Sequence, residues 1–237
     1  MKQLIISGNA VFTSFVRIIM KLSPLGLGCY FAYSISFLGN EVTKGFATSL
    51  VLFLIFTFIC YFGLYSISCW YAGGRAGLIR YWQTILPPSL TAIATASGTA
   101  CIAINIETAQ KNGVKKEIAE AVIPIGINLQ KHGAAGAGVI KLIFLFAIYN
   151  LPVNDISTFI FIVLIAILSS VVMGSIPGGG ISTAILMVGF FGFSDEAVSI
   201  IIVMSTLFDI PATLLNSVRN IVSAVIVNKL LSANPQK

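Results

Sequence analysis

Several side chains that could bind a ligand lie close together in the middle of an apolar stretch. Residues 128 to 133 hold two amides, a lysine, the one histidine of the chain and a glycine. Charged groups at membrane depth mark ion or substrate pathways by default, and a glycine suits unwound backbone that could coordinate a cation. We therefore predict a binding site here, formed by Asn128, Gln130, Lys131, His132 and Gly133. The alternative is that Lys131 and His132 lie in a cytoplasmic loop.

A second set of polar residues recurs at helical spacing near the C-terminus. Asp209, Thr213, Asn216 and Asn220 follow an i, i+4, i+7, i+11 pattern, so they share one face of a helix. An unpaired carboxylate in an apolar helix is costly, which favours a face that contacts a ligand. The alternative is that these side chains hydrogen-bond neighbouring helices to one another.

Two runs of small residues could bring backbone groups close to the same ligand. One offers hydroxyl groups and free amide hydrogens, and the other is a proline followed by glycines, which let backbone approach closely. The helices that start near residues 100 and 181 would direct the positive ends of their dipoles at an anionic group. The runs are Ser97-Gly98-Thr99 and Ile176-Pro177-Gly178-Gly179-Gly180.

Composition shows that water is not the main solvent of this chain. Of its 237 residues, 57% are hydrophobic and 9% are charged, against about 25% charged in a typical soluble domain. A soluble enzyme, a disordered chain and a nucleic-acid binder are thereby excluded as primary interpretations. The net charge of +6 is typical of basic cytoplasmic loops. The four cysteines show no metal-binding or disulfide pattern, and we predict no cofactor.

Charged residues divide the chain into apolar segments. Segments 22–38 and 45–71 are each apolar enough to span a bilayer, which takes roughly 20 residues. Segments 77–112 and 156–194 are interrupted by the runs of small residues. The first has basic residues at both ends and the second has acidic ones, so by the positive-inside rule each begins and ends on one side. We predict that both are re-entrant helical hairpins with their tips inside the bilayer.

The segments after the hairpins complete an inverted repeat. Segment 117–149 crosses outward and segment 197–229 crosses back, and each is predicted to be a broken helix. Such repeats place the substrate site near the midplane. We therefore predict an all-α multi-pass membrane protein with scaffold-type helices in 1–74 and a transport core in 75–237. In the core, Gly136 and Gly138 are predicted to allow close helix packing.

In this order, the motifs resemble those of the dicarboxylate/amino acid:cation symporters, the glutamate transporter family, over essentially the whole chain. The resemblance implies that the substrate and sodium ions or protons bind between the two tips and the two broken helices. It also implies that this transport domain moves past a scaffold that forms trimers. The segments that carry the resemblance are Met20–Gly26, Ser97–Thr99, Pro124–Ala134, Ser175–Gly180 and Asp209–Asn216.

The resemblance also implies roles for individual residues. Asp209 would bind the amino group of the substrate, Thr213 and Asn216 its main-chain polar groups, and the hairpin tips its carboxylates. Lys131 would either pair with Asp209 in the empty site or meet a substrate carboxylate. The substrate-binding set is Ser97, Gly98, Thr99, Lys131, Ile176, Pro177, Gly178, Gly179, Asp209, Thr213 and Asn216, and the cation-coupling set is Asn128, Gln130, His132, Gly133, Asn216 and Asn220.

The chain departs from the family pattern in four respects. It is short, with most of the scaffold and one transport-domain helix missing. His132 stands where the family has a sodium-binding carboxylate. Asn220 replaces a second carboxylate, and Arg219 replaces a small residue beside it. Ala212 stands where an arginine contacts acidic substrate side chains. Basic groups repel sodium. Because Ala212 cannot contact an acidic substrate side chain as that arginine does, we do not predict glutamate as the substrate.

Three functional hypotheses follow. The first is a symporter, not an enzyme, that couples amino acid or dicarboxylate transport to sodium or to protons through His132. The second is a truncated, split or degenerate family member without sodium coupling. The third is a membrane subunit that assembles with a missing N-terminal half. We predict a bacterial inner membrane location, with a small-molecule substrate and the lipid bilayer as partners and no nucleic acid. The resemblance implies that the chain forms a homotrimer.

Overall fold

The chain divides into two compact units, Met1–Lys44 and Gly45–Lys237. The predicted span 22–38 and the Met20–Gly26 motif lie outside the described residues, except for isolated positions. The predicted all-α fold is confirmed, since every regular element among the described residues is a helix. The computed structural model describes residues 11, 25, 29, 32, 43–172 and 179–232, with side chains except at 179–181 and 195.

Nine α-helices follow one another in the described ranges. They are α1 (43–58), α2 (Tyr65–Thr84), α3 (Leu86–Thr95), α4 (Ile102–Lys111), α5 (Lys116–Leu129), α6 (His132–Ile148), α7 (Ile156–Val172), α8 (Gly179–Phe191) and α9 (Asp195–Ser232). A π-helical turn, Ile59–Leu64, joins α1 to α2, and a 3₁₀ turn, Thr99–Cys101, precedes α4. Three stretches of this part of the chain are long and apolar enough to cross a membrane: Thr43–Thr84, Lys116–Ile148 and Glu196–Ser232.

The predicted hairpin 77–112 begins just after a kink in α2. Gly73 and Gly74 have non-helical backbone angles there, and Gly74 has φ +61°, a conformation that glycine adopts without steric strain. The end of α2 and α3 form one arm of the hairpin, and α4 forms the other. Pro87-Pro88 falls in the first turn of α3, where a missing N–H group leaves no helical hydrogen bond unmade.

The two crossing stretches differ in continuity. Between α5 and α6, Gln130 (φ −93°, ψ 83°) and Lys131 (φ −111°, ψ 41°) leave the helical conformation, so the predicted broken helix 117–149 is present. The predicted break in 197–229 is not seen, because α9 continues as one helix through Pro211. Proline removes a single backbone hydrogen bond. Here the helix continues on both sides of that missing bond.

The long helix α1–α2 packs against α9. The Tyr65 hydroxyl donates to the Leu215 carbonyl oxygen at 3.1 Å, and the rings of Phe53 and Phe208 stack with centroids 4.6 Å apart. These buried contacts lie within the compact unit Gly45–Lys237. The division into scaffold-type helices in 1–74 and a transport core in 75–237 stays a prediction.

A second cluster of buried side chains joins α6, α7 and α8. Leu142, Ile162 and Met187 are fully buried within it. A Cβ atom on Gly138 would lie 2.6 Å from the Met187 side chain, and one on Gly136 would lie 2.4 Å from the Phe56 ring. Real Cβ atoms do not approach so closely, so these neighbouring side chains would have to shift, which agrees with the predicted role of both glycines in close packing.

Candidate functional site

The start of α6 is held directly against α9. The Gly133 N–H donates to Asn216 Oδ1 at 2.8 Å, which gives a partner to one of the amides that a helix start leaves unpaired. A Cβ atom on Gly133 would lie 2.3 Å from the Ala212 carbonyl oxygen. Gly133 was predicted to supply unwound backbone. Instead it lies in the first turn of α6, and its lack of a side chain lets the two backbones meet.

A second contact lies on the other side of the break. Ser223 Oγ donates to Gln130 Oε1 at 2.5 Å. A Cβ atom on Gly126 would lie 2.4 Å from Asn220 Oδ1. Asn220 is only 1% exposed, and its Oδ1 atom has no hydrogen-bond partner within the described part of the chain. A buried oxygen without a donor is costly in an apolar setting, and it is the kind of group that a bound cation would satisfy.

The surroundings of the break are basic rather than acidic. His132 is exposed at the start of α6 and lies within electrostatic range of Arg219. Arg219 also interacts with Tyr65 and Cys69 of α2, and its buried Nε has no hydrogen-bond partner among the described residues. Asn128, by contrast, is exposed one turn before the break. Three or more His, Cys, Asp or Glu side chains do not come together as a metal site anywhere in the described ranges.

The predicted polar face of α9 contacts the break along part of its length. Asn216 and Asn220 lie against α6 and α5 respectively. Asp209, about two turns before Asn216, is exposed, and Thr213, about one turn before it, is half-buried. The structure therefore brings the C-terminal half of this face to the α5–α6 break, while Asp209 is an exposed residue nearer the start of α9.

The first hairpin tip lies beside the end of α5. Ser97 Oγ and Thr99 Oγ1 are 3.0 Å apart, and Ser97 Oγ accepts from the Ala100 N–H at 3.4 Å. A Cβ atom on Gly98 would lie 3.7 Å from Ile127, which places this tip within one turn of the break. Of the second tip, Ile176, Pro177 and Gly178 lie outside the described residues, and Gly179 is described only as the first residue of α8.

The structure adds Lys141, which the sequence analysis did not single out. This lysine of α6 is 5% exposed. Its Nζ donates to Ser205 Oγ of α9 at 2.8 Å and lies 5.7 Å from the centre of the Phe208 ring. A signal was present in the sequence, because Lys141 is the one charged residue between His132 and Asp155.

These features define a class of protein. Three apolar stretches long enough to cross a membrane, a hairpin with a polar tip and a helix interrupted at a polar contact are typical of helical secondary transporters. The family model of the sodium:dicarboxylate symporter family matches residues 1–230. The chain belongs to that family, as the sequence motifs had indicated.

The chain is also similar in sequence to transport proteins of bacteria and animals. The chain is 26% identical to excitatory amino acid transporter 2 of Homo sapiens over 224 residues, which cover 94% of this chain and 39% of the relative. It is 26% identical to the proton/sodium-glutamate symport protein of Bacillus subtilis, with 90% and 49% covered. It is also 26% identical to the L-cystine uptake protein TcyP of Shouchella clausii, with 93% and 47% covered.

The names and lengths of these relatives are both informative. All three are named as transport proteins, so the prediction that the chain is not an enzyme is confirmed. The chain spans less than half of the length of each of them.

Proposed function

We propose that this chain forms the substrate-translocating core of a secondary transporter for an amino acid or a dicarboxylate. The observation that carries the proposal is the docking of the α5–α6 break on the polar face of α9 through Gly133 and Asn216. Interrupted helices at such a contact free backbone groups to bind substrates and ions near the midplane. The coupling ion would be sodium or a proton.

The substrate would bind along the α9 face and the first tip. The exposed Asp209 carboxylate suits the ammonium group of an amino acid. Asn216 Oδ1 already accepts from Gly133, so its Nδ2 group is the part left to donate to a substrate carboxylate or carbonyl. The hydroxyls of Ser97 and Thr99 would donate to a carboxylate, with the second tip, Ile176 to Gly179, opposite. Lys131 would pair with Asp209 or meet a substrate carboxylate.

Cation coupling would involve the region around the break. Asn220 Oδ1 and the carbonyl groups near Gln130 and Gly133 offer neutral oxygens of the kind that sodium prefers. His132 would provide a proton-binding group instead, because histidine titrates near neutral pH. Asn128 completes the proposed coupling set.

A second proposal is a family member without sodium coupling. Arg219 supports it, because its guanidinium group lies next in sequence to Asn220 and within electrostatic range of His132. A fixed positive charge at this position opposes the entry of a free cation.

The assembly and location of the protein are also proposals. The family resemblance favours a homotrimer in a bacterial inner membrane. A partner chain that supplies an N-terminal half is a further proposal.

The test is uptake by purified protein in liposomes. Labelled aspartate, alanine, serine and succinate would be supplied under a sodium gradient and, separately, under a proton gradient. We expect gradient-driven uptake of at least one of them. Uptake driven only by protons, and lost in His132→Ala, would assign the coupling to His132. If well-folded protein shows no uptake under either gradient, the coupled mechanism is contradicted.

A charge-matched control identifies the site. Asp209→Asn should abolish amino acid uptake, since it removes the carboxylate proposed to bind the ammonium group. Glu107→Gln also removes one carboxylate, but Glu107 is exposed and pairs with Lys111 at 2.7 Å on α4. We expect uptake by that variant to be unchanged. Equal losses in both variants would argue against a specific role for Asp209.

A further inference from the structure

Lys141 is a charged side chain in an environment that does not favour charge. It lies in the apolar stretch Lys116–Ile148, where the neighbouring residues of α6 are aliphatic or aromatic. An ammonium group has three donors. The described contacts of Nζ are one hydroxyl, Ser205 Oγ, and the face of the Phe208 ring. Neither carries a full negative charge, so these contacts alone do not balance the lysine.

The counter-charge comes from the next turn of α9. Asp209 follows Ser205 by four residues and Phe208 by one, so it lies on the side of α9 that Lys141 contacts. The two charges interact electrostatically, but they form no direct ion pair within 4.0 Å in the described part of the chain. α7, which also packs on α6, contributes no charged residue between 156 and 172. Asp209 is exposed and Lys141 is buried, so Asp209 is the more accessible residue of the two.

We propose that Lys141 is the resident counter-ion of Asp209 and competes electrostatically with the ammonium group of a bound amino acid. The competition rests on the proposed function, in which Asp209 binds that ammonium group. Lys141 does not touch the substrate in this account. It is a positioning residue that lowers the preference of the site for amino acids over dicarboxylates without an amino group. It also neutralises Asp209 in the empty site without a bound cation.

The counter-ion role is tested without any substrate, by a double-mutant cycle on thermal unfolding of the purified full chain. Asp209→Asn and Lys141→Met preserve side-chain size while removing each charge. Asp209→Asn should lower the unfolding temperature of the wild type, because it leaves a buried ammonium without a counter-charge. In the Lys141→Met background the same change should have little effect. Additive shifts would overturn the proposal, and Lys141→Gln supplies a second neutral variant if the methionine variant does not fold.

The competition is tested by binding of two probes, L-aspartate and succinate, which differ by the ammonium group. Lys141→Met should raise the ratio of aspartate affinity to succinate affinity about tenfold, because the carboxylate of Asp209 then faces the ligand without a neighbouring positive charge. A packing defect would change both affinities alike. Lys141→Arg should restore the wild-type ratio, and in Asp209→Asn protein the Lys141 substitution should no longer change it.

A matched control is Lys115→Met, which removes an exposed lysine at the start of α5 and should leave the ratio unchanged. An unchanged or lower ratio in Lys141→Met would overturn the competition. If neither probe binds the wild type, the proposed substrate site is wrong and the competition with it, whereas the unfolding cycle still decides whether Lys141 is the counter-ion of Asp209.

Discussion

Helices α6 and α7 pack against each other and are both 17 residues long, yet they begin in different ways. The amide of Gly133 in the first turn of α6 is paired by Asn216, which lies 83 residues further along the chain. The first turn of α7 is paired by Asp155, the residue immediately before it, which accepts from the Thr158 N–H at 3.0 Å. Both arrangements satisfy amides that a helix start leaves without partners.

The difference has a functional consequence. The capping hydrogen bonds at the start of α7 come from the adjacent residue Asp155, whereas the hydrogen bond at the start of α6 depends on the position of α9. A ligand that binds to α9 near Asn216 therefore acts on a residue that also supports the break. In our proposal, substrate binding and the conformation of the break are coupled through this one side chain.

The largest effect should come from adding a side chain at the contact between α6 and α9. In Gly133→Ala the new Cβ would lie 2.3 Å from the Ala212 carbonyl oxygen, and backbone must shift to relieve the clash. We expect a loss of about 3 kcal/mol in the free energy of unfolding, the upper end of overpacking costs. Thermal unfolding of the purified protein, monitored by size-exclusion chromatography, would measure this loss of stability.

Gly189→Ala is the matched control. Gly189 is exposed in α8, and nothing lies within 4 Å of a Cβ atom built there. We expect a gain of roughly 0.5–1 kcal/mol, because alanine loses less backbone entropy in a helix than glycine does. Equal stability of the two variants would contradict the close approach of α6 to α9.

An intermediate effect should follow from changes at Asn216. Asn216→Ala leaves the Gly133 amide without its partner, which should lower the free energy of unfolding by about 1–2 kcal/mol. Asn216→Asp keeps the accepting oxygen but loses the Nδ2 donor. We expect this variant to unfold close to the wild-type temperature and to lose substrate uptake. Retained uptake in Asn216→Asp would show that Nδ2 does not contact the substrate.

The contrast between local contacts and contacts distant in sequence also explains which features could be predicted from the sequence. The break near Gln130 and Lys131 was predicted because polar residues in an apolar stretch are a local signal. The role of Gly133 was not, because the approach of Ala212 is a tertiary contact that no nearby residue announces. The predicted break in α9 failed for a related reason, since Pro211 alone does not decide whether the remaining hydrogen bonds continue the helix.

The parts of the candidate site also differ in whether they could be predicted from sequence. The face formed by Asp209, Thr213, Asn216 and Asn220 followed from helical periodicity, and the contacts of Asn216 and Asn220 agree with it. Lys141 was overlooked because a single lysine shows no spacing pattern. Its significance depends on Ser205 and Phe208, which are brought beside it only by the packing of α6 on α9.

The smallest effect on stability should come from removing the charge of Asp155 at the start of α7. Hydrogen bonds from Ser157 and Thr158 lower the pKa of the exposed Asp155 carboxyl to about 2. The folded pKa lies below the unfolded value of about 3.9, so the stabilisation is fully present above pH 4. It is lost as the pH falls from about 4 to about 2. Asp155→Asn should therefore be slightly less stable than the wild type at pH 6, and the difference should be much smaller at pH 2. Paired thermal unfolding at several pH values would measure this, and a difference that persists unchanged at pH 2 would show that the charge of Asp155 does not support the helix.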